Sequence, residues 1–265
     1  MVITGAIVAL VMTTMVFANG FLNGRIAENE FNANKQFMLT TGLQIDDIAW
    51  TVGRTQTVRY SGKYGFVKFQ SLALNYTFEV NATGVWEPLF SNFTGMVMFN
   101  MPIADFNLGN SYFERISPFY NGSFLQSGPA APVTHVFVVE KLPMAEGNYT
   151  RVVAVPSIRV LNSTIVGPQQ STSTNYFKFY LPTLELSALS LYRSQSITMT
   201  GTDLIKIVRR GVEQVRITVT FPNGGSLGFN SGFFNFDHLV ETRNLPADSV
   251  VEFYIGKVMV SFGQV

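Results

Sequence analysis

Between Met1 and Gly24 no position carries a charge, and Arg25 is the first that does. Drawn as a helix at ~100° per residue, the large apolar residues of this stretch fall on every side. After Arg25 the pattern changes. Glu28, Asn29, Glu30, Asn32, Asn34, Lys35 and Gln36 interleave with apolar positions. Phe31, Met38, Ile45 and Val52 recur every seven residues, with Ala27, Thr41 and Ile48 on the adjacent line. No proline occurs before Pro88, so nothing breaks the run. The pattern predicts one helix ending near residues 50–52, on the order of 75–80 Å long, with Gly53 as its stop. Its second half carries a stripe of the width of a helix–helix seam.

From Arg54 onward the period shortens to two. Strands are predicted over 56–60, 64–69, 135–140, 151–155, 176–181, 184–192, 196–200, 204–208, 214–221 and 251–262. The clearest is 214–221, where Val215, Ile217, Val219 and Phe221 share one face and Arg216, Thr218 and Thr220 the other, before a Pro222-Asn-Gly-Gly225 turn. Many short strands separated by turns predict a β-sandwich or barrel. The fold class is therefore α+β: an N-terminal helix, residues 1–53, and a β-rich head, residues 54–265.

The uncharged segment spans ~36 Å as a helix, against a bilayer core of ~30 Å. Burying its apolar side chains releases roughly 20–35 kcal/mol gross, so it requires lipid or protein around it. Three fates fit. A cleaved secretory signal satisfies the small-residue rule at Val16-Phe17-Ala18, but no basic residue precedes the run. A permanent membrane anchor is the second. The third is a helix that lies first in a membrane and later in a protein core. Gly20 and Gly24 permit either close helix approach or a joint at the membrane exit.

An uncharged N-terminal helix, its amphipathic continuation and a β-rich head together resemble an archaeal type IV pilin, of the adhesion-filament kind with a class III signal peptide. The segment Asp46-Asp-Ile-Ala-Trp-Thr-Val-Gly-Arg-Thr-Gln-Thr-Val-Arg-Tyr-Ser-Gly-Lys-Tyr-Gly65 is similar to the helix-to-head junction of such pilins. The resemblance covers residues 1 to about 69 closely and the head in general terms. It implies a short basic leader removed before Met1 by a prepilin peptidase. It also implies extraction from the membrane by an assembly ATPase and platform protein, and a homopolymer with helices inside and heads outside. Bacterial type IV pilins carry Glu at the fifth position; Gly5 stands here, which points to the archaeal branch. Ile3, Ile7, Leu10, Val11, Phe17, Phe21, Phe31, Met38, Ile45 and Val52 are the expected polymerisation residues.

Composition narrows the chemistry. Charged residues are 13% of the chain and net charge is +1, so no basic stripe for nucleic acid exists. The absence of cysteine removes disulfides, thiolate metal sites and Cys nucleophiles. His135 and His238 are the only histidines, and no ligand spacing or nucleophile motif accompanies them. Asp46-Asp47 reads as a solvated or interface patch. No enzymatic activity, metal or other cofactor is expected. Six Asn-x-Ser/Thr sequons, at Asn75, Asn81, Asn92, Asn121, Asn148 and Asn162, all fall in the head, where N-linked glycans would shield a weakly charged surface. The expected function is a subunit of an extracellular surface filament for adhesion or cell–cell contact, membrane-held before assembly. The rival is a monomeric membrane-anchored ectodomain that binds a solute or glycan.

Overall fold

The computed structural model describes residues 2–60, 62–82, 84–166, 173–187 and 196–263. Helix α1 runs unbroken over Val2–Ala49. The expected end at 50–52 falls in the turn after it, where Gly53 takes a φ of 84° that favours glycine. Gly53 N–H donates to the Gly201 carbonyl at 2.7 Å, and Gly201 N–H returns to Arg54 at 2.9 Å. The helix stop is thereby tied into the sheet.

Among the described residues eleven strands follow: β1 Thr55–Arg59, β2 Phe66–Asn81, β3 Trp86–Pro102, β4 Tyr112–Ser117, β5 Leu125–Ser127, β6 Thr134–Glu140, β7 Tyr149–Pro156, β8 Ile158–Val166, β9 Ser173–Leu186, β10 Ser196–Thr220 and β11 Val240–Gly263. A short helix, α2 Ser231–Phe234, precedes the last. The strands form one hydrogen-bonded sheet in the order β4-β6-β7-β3-β2-β10-β11-β9-β8-β5, and β1 pairs separately with β10. The β11–β9 and β5–β8 pairs are parallel. The chain is thus one long helix followed by a large, mostly β domain. The sheet curls on itself: β3 and β9 are not neighbours in it, yet Met96 and Met98 share a core with Phe179 and Leu181. The Thr94 hydroxyl accepts from Leu184 N–H at 2.9 Å across the same junction.

Strands β6, β7 and the end of β3 are buried on both faces. Phe137, Val139, Val153, Val155, Met96 and Met98 point into the curled sheet. Val136, Val138, Val152, Ala154, Val97 and Phe99 point the other way and need a second cover. Helix α1 is that cover. Ala27, Phe31, Met38, Ile45, Ile48 and Ala49 are each 2% exposed or less, and all but Ala27 belong to this second core. The expectation that Phe31, Met38 and Ile45 meet neighbouring helices is therefore corrected: they face this molecule's own sheet. Val52 lies past the helix end and is 61% exposed, so it belongs to no stripe. Packing does not follow a boundary at residue 53, because residues 27–49 are part of the head's core. Apart from one contact at Asn23, the portion standing clear of the head is 3–26.

Glycine makes the close approach possible. A Cβ at Gly42 would lie 2.8 Å from Thr134 Oγ1, and one at Gly256 would lie 2.2 Å from the Ala49 carbonyl oxygen. At Gly201 it would lie 2.6 Å from the Ile48 oxygen. The last turn of α1 therefore rests on two glycines of β10 and β11. At the other end of the docked portion, the buried Glu30 carboxylate accepts from the backbone N–H groups of Lys63, Tyr64 and Gly65 at 2.9–3.2 Å. Charge-assisted bonds of this kind are the stronger class.

Of the expected strands, 214–221 matches closely: Val215, Ile217 and Val219 are buried and Arg216 and Thr218 are not. Positions 188–192 of the expected 184–192 strand lie outside the described residues.

Candidate functional site

Residues 3–26 are exposed without exception. This projecting part of α1 contains the one stretch in the described chain that is long and apolar enough to cross a membrane. Of the expected polymerisation residues, Ile3, Ile7, Leu10, Val11, Phe17 and Phe21 lie here, all exposed. At ~100° per residue they fall within roughly 120° of one another. Val8, Met12, Met15, Val16 and Leu22 extend the large apolar surface over the next ~140°, and the small residues Ala6, Ala9, Thr13, Gly20 and Gly24 line the last side. Two of the few polar groups are satisfied internally: the Thr13 and Thr14 hydroxyls donate to the Ala9 and Leu10 carbonyls, each at 2.8 Å. Hydroxyls capped in this way suit lipid or an apolar protein core. Gly5, Gly20 and Gly24 have open space where a Cβ would stand.

The transition to the head is marked chemically. Arg25 pairs with Glu28 at 2.8 Å and covers the Phe21 ring at 5.4 Å. Tyr64 OH donates to Asn23 Oδ1 at 3.2 Å, so the loop held by Glu30 touches the helix just where the apolar surface ends. Beyond it the outward side of α1 carries exposed Asn29, Asn32, Gln36 and Thr40.

The Asp46-Asp47 pair lines an open depression of about 430 Å³ with Leu43, Trp50, Thr51, Arg54 and Arg159. The two acids are separately neutralised. Asp46 binds Arg159 at 2.8 Å and accepts from Trp50 Nε1 at 2.8 Å; Asp47 pairs with Arg54 and accepts from Gln56 Nε2 at 2.9 Å. They form no dyad. A row Lys206-Tyr254-Tyr180-Arg159 crosses four strands in register. The tyrosine rings stack at 4.9 Å, and a cation covers each outer face. Every ring face is occupied from within, so the row braces the sheet and offers no flat platform. Lys206 also holds Glu252 at 2.8 Å, and this bond lowers the Glu252 carboxyl below its ordinary range. Among the described residues no group of three or more His, Asp or Glu side chains is placed to hold a metal ion.

His238 is exposed, and its neighbour Asp237 bonds Arg115 at 3.2 Å and Gly122 N–H at 3.1 Å. His135 is buried, with Nε2 donating to the Ser123 carbonyl at 3.0 Å. Burial pushes its pKa down to about 4 from 6.5, partly offset by that hydrogen bond. The sign follows from proton counts. Between pH 6.5 and 4 the unfolded chain binds a proton that the folded head refuses, so stability falls with pH there and is whole above 6.5. The expected loss from pH 7 to pH 4 is ~3 kcal/mol from this group. Urea unfolding of His135→Gln beside the parent at both pH values should show that part of the slope removed; equal slopes would overturn the assignment.

The sequons differ sharply in access. Asn81 is 7% exposed, with Nδ2 donating to Gln214 at 3.2 Å and Oδ1 accepting from Gly84 at 2.7 Å; its Thr83 lies outside the described residues. Asn121 is held by Gln126 and Ser123 N–H. Asn75 accepts from Ser91 at 2.7 Å, and Thr94 of the Asn92 sequon is buried. Asn148 is exposed, but its Thr150 is buried and donates to Glu140 at 2.6 Å. Asn162 and Thr164 are both exposed.

The features that sequence reasoning missed are the Glu30 clamp and the glycine seats. Glu30 had a signal: it falls on the same helix side as Phe31 and Ala27, where an acid needs a partner. The glycines had none, since their role depends on strands distant in sequence. Compared with protein-family models, with curated proteins and with solved structures, the chain matches none.

Proposed function

We propose that this chain is the structural subunit of an archaeal type IV pilus-like surface filament, polymerising through the N-terminal part of α1. One observation carries the reading: a single helix, half apolar and exposed over 3–26, half built into the core of its own head. A flexible tether would let an anchor and a domain move independently. Here each head is joined through continuous helix to its apolar rod, which suits a polymer whose core and surface must keep one geometry. Before assembly the rod is held in a membrane, and prepilin peptidase, ATPase and platform protein act on it there. The filament serves surface adhesion or cell–cell contact.

The rival, a monomeric membrane-anchored ectodomain, is favoured by the all-round apolarity of 3–26 alone. Electron microscopy of material sheared from the surface of producing cells separates the two. Thin filaments whose subunit mass matches this chain are the expected result. Monomeric particles recovered only in detergent, with no polymer in the sheared fraction, would replace the filament with the anchor.

A further inference from the structure

Strand β8 leaves an open edge. On one side it pairs with β9 from Arg159 to Val166. On the other, β5 covers only Ile158, Arg159 and Val160, so residues 161–166 have no strand partner there among the described residues. Their sequence is Leu-Asn-Ser-Thr-Ile-Val, uncharged and rich in strand formers, and Ile165 and Val166 are each 58% exposed. Such an edge is a template for pairing with another chain.

Several other open edges in the described head are guarded. The middle of β10, between its β1 and β2 partners, carries Lys206, Arg209 and Arg210. Its Leu204 N–H is bonded to the Asp203 side chain at 2.9 Å, its Val208 carbonyl accepts from Arg209 at 3.2 Å, and bulges bracket the stretch. Edge strand β4 carries Glu114 and Arg115, and β5 is only three residues long. Charges, bulges and shortness are the usual protections. Residues 161–166 have none of them, but they contain the one sequon whose Asn and Thr are both exposed. As i and i+2 of a strand, Asn162 and Thr164 lie on the same face, within reach of one transferase site.

We infer that Asn162 carries an N-linked glycan and that this glycan guards the open β8 edge against pairing with other copies. The inference rests on the surface placement proposed above. The co-reactant is an oligosaccharide linked through phosphate to a polyprenol. The Nδ2–C bond forms at the anomeric carbon, the bond from that carbon to the phosphate oxygen breaks, and the lipid phosphate leaves with the electron pair. One amide proton passes to a base of the transferase.

The test begins with glycopeptide mass spectrometry of the full chain from producing cells, beside protease access to the head on intact cells. A glycan on the Asn162 peptide, with Asn81 and Asn121 bare, is expected. A protease-accessible head with Asn162 bare overturns the inference and leaves the filament reading standing. An inaccessible head overturns both. The guard role is read separately. Because the chain has no native cysteine, Ser163→Cys keeps the sequon and reports edge proximity alone, apart from helix-driven association. Cross-linking of full-length Ser163→Cys in detergent should rise several-fold when Asn162→Gln is added, and fall back when Ile165→Lys supplies a charge. No rise on loss of the glycan overturns the guard.

Discussion

Phe17→Glu is expected to abolish filaments while leaving the head's melting temperature unchanged. Phe17 is exposed, belongs to neither hydrophobic core, and lies before Asn23, where the head's Tyr64 meets the helix. A glutamate there has no consequence for an isolated head. In a polymer core it places an unpaired carboxylate among apolar helices at every repeat. Charged residues at the centre of an apolar helical environment cost about 2.5–3.5 kcal/mol each, equivalent to roughly a 100-fold rise in the concentration needed to assemble. Sedimentation of polymer against total protein, with calorimetry of the same sample, reads both halves. Normal filaments from Phe17→Glu would remove 3–26 from the assembly interface.

Met38→Glu is expected to do the reverse and act on the head first. Met38 is 0% exposed and packs in the core shared by α1 and β2, β3, β6 and β7. The carboxylate would be buried with no partner, a change in the class that costs more than about 4 kcal/mol. For a domain of this size each kcal/mol moves the melting temperature by about 2–4 °C, so a drop beyond roughly 10 °C follows. Assembly would then fail because the subunit fails. A Met38→Glu head that melts like the parent but does not polymerise would restore the stripe to the interface between copies. With both expected results, the two substitutions would divide one helix into the part that folds the head and the part that the proposed polymer uses.

The contrast shows where sequence reading ends. The stripe at Phe31, Met38 and Ile45 was legible as a stripe because seven-residue spacing demands burial of one side. What buries it was not, since a neighbouring helix and an own sheet make the same demand. The helix end was readable from Gly53, a single residue with a single conformational reason. Strand 214–221 was readable because only one of its faces is buried, leaving alternation in the sequence. In β6 and β7 both faces are buried, so Val136 to Val139 are all apolar; the strands could be recognised, but not the layer on either side. Strand β3 was missed because Pro88 and Pro102 sit at its ends and Asn92 and Thr94 give it a turn-like composition. Strand β8 was missed for a similar reason, its Asn162-Ser-Thr164 run reading as a modification signal before it reads as backbone. The sequons were all visible as text, and only the fold separates Asn162 and Thr164 in solvent from Asn81 under Gln214.

The seating of α1 also governs how the subunit bears force. The docked portion, from Ala27 to Ala49, lies along the sheet, fastened near its entry by Glu30 and at its end by the turn on Gly201 and Gly256. Tension drawn along the projecting rod enters this joint lengthwise. It therefore meets the packed side chains of Phe31, Met38, Ile45 and Ile48 together, in shear, instead of peeling them off in turn. A joint of that geometry resists a steady pull along its axis far better than a sideways one, and in the proposed filament drag would load it along that axis.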